Sequence, residues 1–206
     1  VNLLLDGAPL LGEQVVVFGQ GIVGLLATAL LAEFPLRALL TLDAYPQRRR
    51  QSLNLGAHAS FDPFAPQISK LVLQGLEATA RYDGADLVYE LSGSPQALDQ
   101  AIAVCGFDGR IVVGSWYGQK RAPLNLGGRF HRARLRLVSS QVSTLAPHLL
   151  GRWSKTRRLE AAWQALQRIQ PGHLITHRFP FQQAEAAYHL LAQNPGETIQ
   201  VIFEYP

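Results

Sequence analysis

Short apolar runs alternate with amphipathic stretches along most of this chain. Val15-Val16-Val17-Phe18 is a run of β-branched and aromatic residues, the composition of a buried strand. Ile22 to Glu33 reads as an apolar helix, and Ala38-Leu39-Leu40-Thr41-Leu42 as a second strand. Pro46 to Leu55 reads as a helix stopped by Gly56, followed by a brief third strand at Ala59-Ser60-Phe61 and then Asp62-Pro63. Gln67 to Ala80 is amphipathic, with Ile68, Leu71, Val72, Gly75 and Leu76 on one face. Ala85 to Glu90 is a fourth strand running out into Leu91-Ser92-Gly93-Ser94, and Pro95 opens a helix in a position that proline tolerates. Gly109 to Gly114 and Leu135 to Ser139 are the fifth and sixth strands. Strand and helix in alternation predict an α/β fold, a doubly wound parallel sheet covered on both faces with strand order 3-2-1-4-5-6.

The rhythm changes after the sixth strand. Leu159 to Ile169 reads as a helix closed by Pro171-Gly172, and His177 to Pro180 as extended chain. Gln182 to Gln193 reads as a helix ended by Asn194-Pro195-Gly196, and Thr198 to Tyr205 as a last strand. The expected division is a nucleotide-binding domain over 1–145 and a helix-strand extension over 146–206. Neither part contains an internal repeat or a low-complexity linker.

The first strand runs straight into Gly19-Gln20-Gly21-Ile22-Val23-Gly24. A strand that passes through GxGxxG into a helix suits the pyrophosphate of a dinucleotide. Gly19 permits the tight turn, Gly21 leaves room for phosphate, and Gly24 lets the helix approach the strand. The helix N-terminus then offers free N–H groups and a partial positive charge to the anion. The second strand ends in Asp43, nineteen residues past Gly24, and an acid about 20 residues on is what binds the adenosine ribose. A carboxylate there accepts from the ribose hydroxyls and repels a 2′-phosphate, so NAD is expected over NADP. Tyr45 and Arg48-Arg49-Arg50 pull the other way, since arginines clamp phosphates.

Composition narrows the class. Of 206 residues, 48% are hydrophobic and 17% charged, the balance of a well-cored globular protein. The net charge of +4 is mild, and its arginine groups lack the interleaved aromatics of a nucleic-acid surface. No run approaches the ~18–20 apolar residues of a membrane span. Cys105 is the only cysteine, which rules out an intrachain disulfide and suits a reducing, cytoplasmic setting. It falls late in the helix Ala97 to Val104, before a glycine turn, where a small buried residue is expected rather than a nucleophile. The chain opens on Val1 and contains no Met, as expected for a piece of something longer.

With those residues in view, the chain resembles the zinc-dependent medium-chain alcohol dehydrogenases, a group that includes sorbitol and threonine dehydrogenases. The likeness rests on Gly12 to Gly24, Asp43 with Arg48 to Arg50, Asn54-Leu55-Gly56-Ala57, Asp86 to Gly93, Gly109 to Gly114 and Thr198 to Phe203. It covers that family's Rossmann cofactor half and its C-terminal return. The resemblance implies that Gly19, Gly21, Ile22, Val23 and Gly24 hold pyrophosphate, that Asp43 and Arg48 meet the adenosine ribose, and that Leu91 and Ser92 flank the adenine side. It implies that Val113, Gly114 and Ser115, with Ser139 and Gln141, approach the nicotinamide. Gln200 stands where some members carry an arginine to the pyrophosphate, a departure that removes one positive charge.

The same family holds a catalytic zinc and a structural zinc on cysteine, histidine and acidic ligands in another domain. With one cysteine and six scattered histidines, this chain lacks any metal-ligand spacing. His58, His131, His148, His173, His177 and His189 are expected at the surface or in caps, and His189, on an apolar helix, as a satisfied structural histidine rather than a ligand. No zinc and no catalytic residue are therefore expected here, although the longer parent is expected to use zinc on a small alcohol or polyol. Two other classes share the glycine turn: a non-catalytic or redox-sensing dinucleotide module, and a nucleoside-dependent methyltransferase, which accounts less well for Gly109 to Ser115 and the last strand. The family habit of pairing sheets edge to edge makes a homo-oligomer expected, with Leu135 to Gln141 as a seam. Thr198 to Tyr205, deprived of the barrel domain it would return to, is expected to leave its edge unpaired.

Overall fold

The computed structural model describes residues 1–79 and 83–205. Six strands make the main sheet: β1 (Gln14–Phe18), β2 (Ala38–Leu42), β3 (Ala59–Phe61), β4 (Ala85–Glu90), β5 (Cys105–Val113) and β6 (Arg136–Ser139). They lie in the order β3-β2-β1-β4-β5-β6, and every pairing is parallel. This is the expected doubly wound topology. The chain builds outward from β1 on one side and then returns to place β4 on the other. The crevice between the carboxyl ends of β1 and β4 is thus a topological switch point, where ligands bind in such sheets.

All five residues of β1 and of β2 are buried, because a central parallel strand is covered on both faces and reads as a continuous apolar run. Successive residues serve opposite layers. Val16, Phe18, Leu40, Leu42, Val88 and Ile111 join one core, and Val15, Val17, Leu39, Leu87, Tyr89 and Val112 the other. Helices α2 (Ile22–Leu31), α3 (Pro46–Asn54), α4 (Ile68–Gly75) and α5 (Pro95–Val104) cover the sheet. The helix expected over Gln67 to Ala80 is shorter than its pattern, since Glu77 takes a left-handed φ of 52°; Ala80 lies outside the described residues. Cys105 caps α5 and already pairs with Ala85, so β5 begins four residues earlier than expected, with an irregularity near Asp108 (φ 55°).

The opening leucines form a short helix, α1 (Asn2–Gly7), that pattern reading left unassigned. Leu3 and Leu4 pack against the Val15 and Tyr89 layer. The Arg110 guanidinium fixes the end of α1 by donating to the carbonyls of Gly7 and Ala8 at 2.6 and 2.8 Å, and pairs with Glu13 at 2.6 Å.

Beyond β6 come α6 (Lys155–Ile169), β7 (Ile175–Pro180), α7 (Ala184–Gln193) and β8 (Gln200–Glu204). The α6 helix starts a turn before its first apolar position, because the Ser154 side chain accepts from the Arg157 N–H at 3.1 Å. The last strand finds one partner, β8 running parallel to β7 in a separate two-stranded sheet, and its other edge pairs with no strand among the described residues. Leu174 and Ile199 pack on Leu25 of α2, so this tail leans on the helix that follows the glycine turn. His189 lies at the surface on α7, 3.7 Å from Glu185.

Candidate functional site

The glycine turn is held together from within. Gly19 adopts φ +88°, and a Cβ there would stand 2.7 Å from the Ser92 nitrogen, against the end of β4. Its N–H donates to the Leu42 carbonyl at 2.7 Å. The buried Gln20 amide donates to the Gly19 carbonyl at 3.1 Å and accepts from the Thr28 hydroxyl at 2.9 Å. A Cβ on Gly24 would lie 1.9 Å from the Gly19 oxygen, whereas one on Gly21 would meet nothing within 4 Å. The two glycines do different jobs: Gly24 permits a backbone contact, and Gly21 leaves space open. Gly21 caps α2 without a side-chain hydrogen bond, so the first-turn N–H groups of this helix face the opening.

Asp43 closes the turn from the side. Its carboxylate is buried, accepting from the Gln20 N–H at 2.7 Å and the Tyr45 N–H at 2.8 Å. Each oxygen retains a lone pair for a further donor. Gly19, Gly21, Asp43, Arg48, Leu91 and Ser92 line one cavity of about 260 Å³, completed by Tyr45, Phe64, Ala97 and Gln100 among others. Arg48 lies over the Tyr45 ring, 4.8 Å from its centroid, and donates to the carbonyls of Pro195 and Thr198 at 2.8 and 2.9 Å. Arg49 donates to the carbonyls of Asp43 and Ala44.

A second, more open cavity of about 670 Å³ lies on the other side of the turn and is lined by Val23, Val113, Gly114, Ser115, Trp116, Ser139 and Gln141, with the start of α1. The expected residues thus fall into two groups, one in each cavity. Ile22 and Gly24 line neither: Ile22 packs towards Leu25, and Gly24 is consumed by its contact with Gly19.

Sequence reading passed over Glu90. This last residue of β4 is fully buried between the cavities. One carboxylate oxygen accepts from the Ser92 and Gly93 N–H groups at 2.8 and 3.1 Å and from the Ser92 hydroxyl. The other accepts from the hydroxyls of Ser115 and Tyr117, the latter at 2.8 Å. Burial, reinforced by the Glu90 carboxylate, pushes the Tyr117 hydroxyl above the ordinary phenol range. The available signal was the acid at the strand end, followed by Ser92, Gly93 and Ser94.

A glycine turn, an open helix N-terminus and a strand-end acid at the switch point of a doubly wound sheet define a nucleotide-binding α/β protein. More specifically, the pattern described as zinc-binding dehydrogenase matches residues 23–159, and the chain belongs to that family. It is 26% identical over 201 residues to sorbitol dehydrogenase 1 of Saccharomyces cerevisiae, covering 95% of this chain and 52% of that one. It is 26% identical to the L-threonine 3-dehydrogenase of Pyrococcus furiosus, covering 98% and 54%. The chain therefore spans about half the length of the curated relatives it matches. Among solved structures, an Escherichia coli CFT073 alcohol dehydrogenase complexed with NADH superposes with TM-score 0.78 at 19% identity, over 98% of this chain and 55% of that one. The alcohol dehydrogenase of Thermus sp. ATN1 does so with TM-score 0.78 at 23% identity, over 100% and 54%.

The family name raises the question of zinc. Among the described residues, no three His, Cys, Asp or Glu side chains are grouped to hold a metal ion. Cys105 is buried, and burial, partly offset by Arg129, pushes its thiol up to about 12, far from a ready thiolate ligand. The described residues do not fit a zinc site. They do fit a dinucleotide, given the empty space over Gly21 beside the buried Asp43. No described helix is long and apolar enough to cross a membrane.

Proposed function

We propose that this chain is the cofactor-holding part of an alcohol dehydrogenase-like oxidoreductase that uses NAD. When bound, the nicotinamide ring supplies the hydride acceptor or donor. The observation that carries the reading is the buried Asp43 carboxylate lining one cavity with Gly19 and Gly21. In this reading, Gly19 to Gly24 and the α2 N-terminus hold the pyrophosphate. Asp43 accepts from the adenosine ribose hydroxyls, with Arg48 alongside and Leu91 and Ser92 flanking the adenine. Val113, Gly114, Ser115, Ser139 and Gln141 orient the nicotinamide end. Residues 1–145 act as the dinucleotide domain and 146–206 as its extension.

The choice of NAD over NADP gains support from the arginines. Arg48 and Arg49 donate to backbone carbonyls, so clamping a 2′-phosphate would require breaking those bonds. The substrate is read as a small alcohol or polyol, and zinc as bound by a part of the longer protein outside these 206 residues. The lone, buried Cys105 suits a reducing cytoplasm, and the exposed β6 edge suits a homo-oligomeric seam that light scattering would detect.

Fluorescence titration with NADH and NADPH tests the core of this reading. NADH is expected to bind at least about tenfold more tightly. Tighter NADPH binding would overturn the cofactor choice, and failure of both to bind would overturn the dinucleotide reading. The chain alone is expected to leave NAD unreduced by an alcohol panel; clear turnover would sink the division of labour.

A further inference from the structure

Glu90 lines neither cavity, yet its carboxylate joins the walls of both. On the β4 side it holds Ser92, whose neighbours Leu91 and Ser94 face the cavity with Asp43. On the β5 side it holds Ser115, which faces the open cavity, and Tyr117, which faces neither of the two. Tyr117 also donates to the Ser94 carbonyl at 3.2 Å, and Lys120 donates to the Gly93 carbonyl at 3.0 Å. Five donors converge on one fully buried carboxylate.

A fully buried carboxylate is costly to desolvate, and hydrogen bonds to each oxygen offset that cost. Bonds to an ionised group are about twice as strong as neutral ones, so the two loops are held at the distance the side chain spans. Backbone pairing of β4 with β5 ends at Glu90 and Val113. Beyond that point, one backbone bond remains, from the Gly114 N–H to the Glu90 carbonyl at 3.0 Å, and the other described bonds joining the two loops involve the Glu90 side chain, Tyr117, Lys120 and the Ser115 hydroxyl, which donates to the Glu90 carbonyl at 3.3 Å.

We propose that Glu90 is a positioning residue that fixes the spacing between the adenosine half and the nicotinamide half of the dinucleotide cleft. The proposal rests on the dinucleotide reading above. A ligand confined to the adenosine half does not sense this spacing, whereas a ligand that fills both halves does. Length matters more than charge for such a part. Glu90→Asp is one methylene too short to reach both loops. Glu90→Gln keeps the span, its carbonyl accepting from Ser92 and Gly93 while its amide donates to the Ser115 and Tyr117 oxygens.

The test titrates the 206-residue chain with AMP and with NADH, alongside thermal melts of each variant. Glu90→Asp is expected to weaken NADH by about tenfold while AMP stays within about twofold, and Glu90→Gln to restore most of the NADH affinity. Tyr117→Phe removes a Glu90 partner without touching either cavity, and is expected to weaken NADH a few-fold with AMP unchanged. It also carries the test should Glu90→Asp fail to fold. If both ligands weaken in step, or neither changes, Glu90 only stabilises the fold and the proposal is overturned. If the unaltered chain binds AMP and NADH equally poorly, the dinucleotide reading itself has failed, which is a separate outcome.

Discussion

The two ends of the cleft are built differently. On the Asp43 side, the floor is the buried ends of β1 and β2 and a carboxylate held by two backbone N–H groups, with Phe64, 70% exposed, at the margin. On the Ser115 side, Val23, Trp116 and Val142 stand 54%, 91% and 66% exposed around a wide opening. The first end is the smaller cavity and carries the buried carboxylate, whereas the second is wider and has more of its apolar lining exposed. Exposed apolar side chains gathered around one cavity are candidates for cover by a further part or partner, and the relatives have about as much sequence again.

The sharpest way to break this comparison lies in two glycines of the turn between the cavities. Gly24→Ala drives a methyl into the Gly19 carbonyl, a backbone atom that yields only if the turn or α2 moves. The expected loss is about 3 kcal/mol of unfolding free energy in urea melts, with NADH binding lost as well. Asp43→Ala comes next. It strands the Gln20 and Tyr45 N–H groups, costing about 2 kcal/mol, and weakens NADH by about thirtyfold. An Asp43→Ala protein as stable as the parent would mean that the carboxylate does not hold the turn. Gly21→Ala should behave differently from Gly24→Ala. Its φ of −65° suits any residue and its Cβ meets nothing, so stability should stay within about 0.5 kcal/mol. On the proposed reading the added methyl enters the space assigned to phosphate, and NADH should bind about tenfold more weakly. Equal destabilisation by the two alanines would refute the separate jobs assigned to these glycines.

What was legible in the sequence follows the same divide. The sheet order, the glycine turn and Asp43 were readable because their signals are local: an apolar run, a fixed glycine spacing, an acid at a strand end. The tail strands were readable as strands, yet their mutual pairing was not, since Thr198 to Tyr205 says nothing of Ile175 to Pro180. The family resemblance pointed to Arg48 as a neighbour of Asp43, and the two line one cavity. The hydrogen-bond partners of Arg48 could not be inferred, because the Pro195 and Thr198 carbonyls arrive 147 and 150 residues later. Glu90 was missed for the same reason: two of its five donors come from the loop after β5. The short helix α1 escaped because Leu3-Leu4-Leu5 has no period of its own, and Arg110 and the sheet decide its conformation.

The smallest expected effect probes the open end. Trp116 is 91% exposed, so it contributes little packing in this chain, and Trp116→Ser should leave the unfolding free energy within about 0.5 kcal/mol. The same substitution in a protein of the relatives' full length tests what covers the rim. If the additional half closes over the cavity, the indole is buried there and its loss costs about 2 kcal/mol. Paired urea melts of the short and long forms measure the difference directly. A cost confined to the long form makes the rim a docking face for the additional sequence. A negligible cost in both forms would mean that Trp116 stays in water, and the two ends of the cleft would then differ only in the chemistry of their linings.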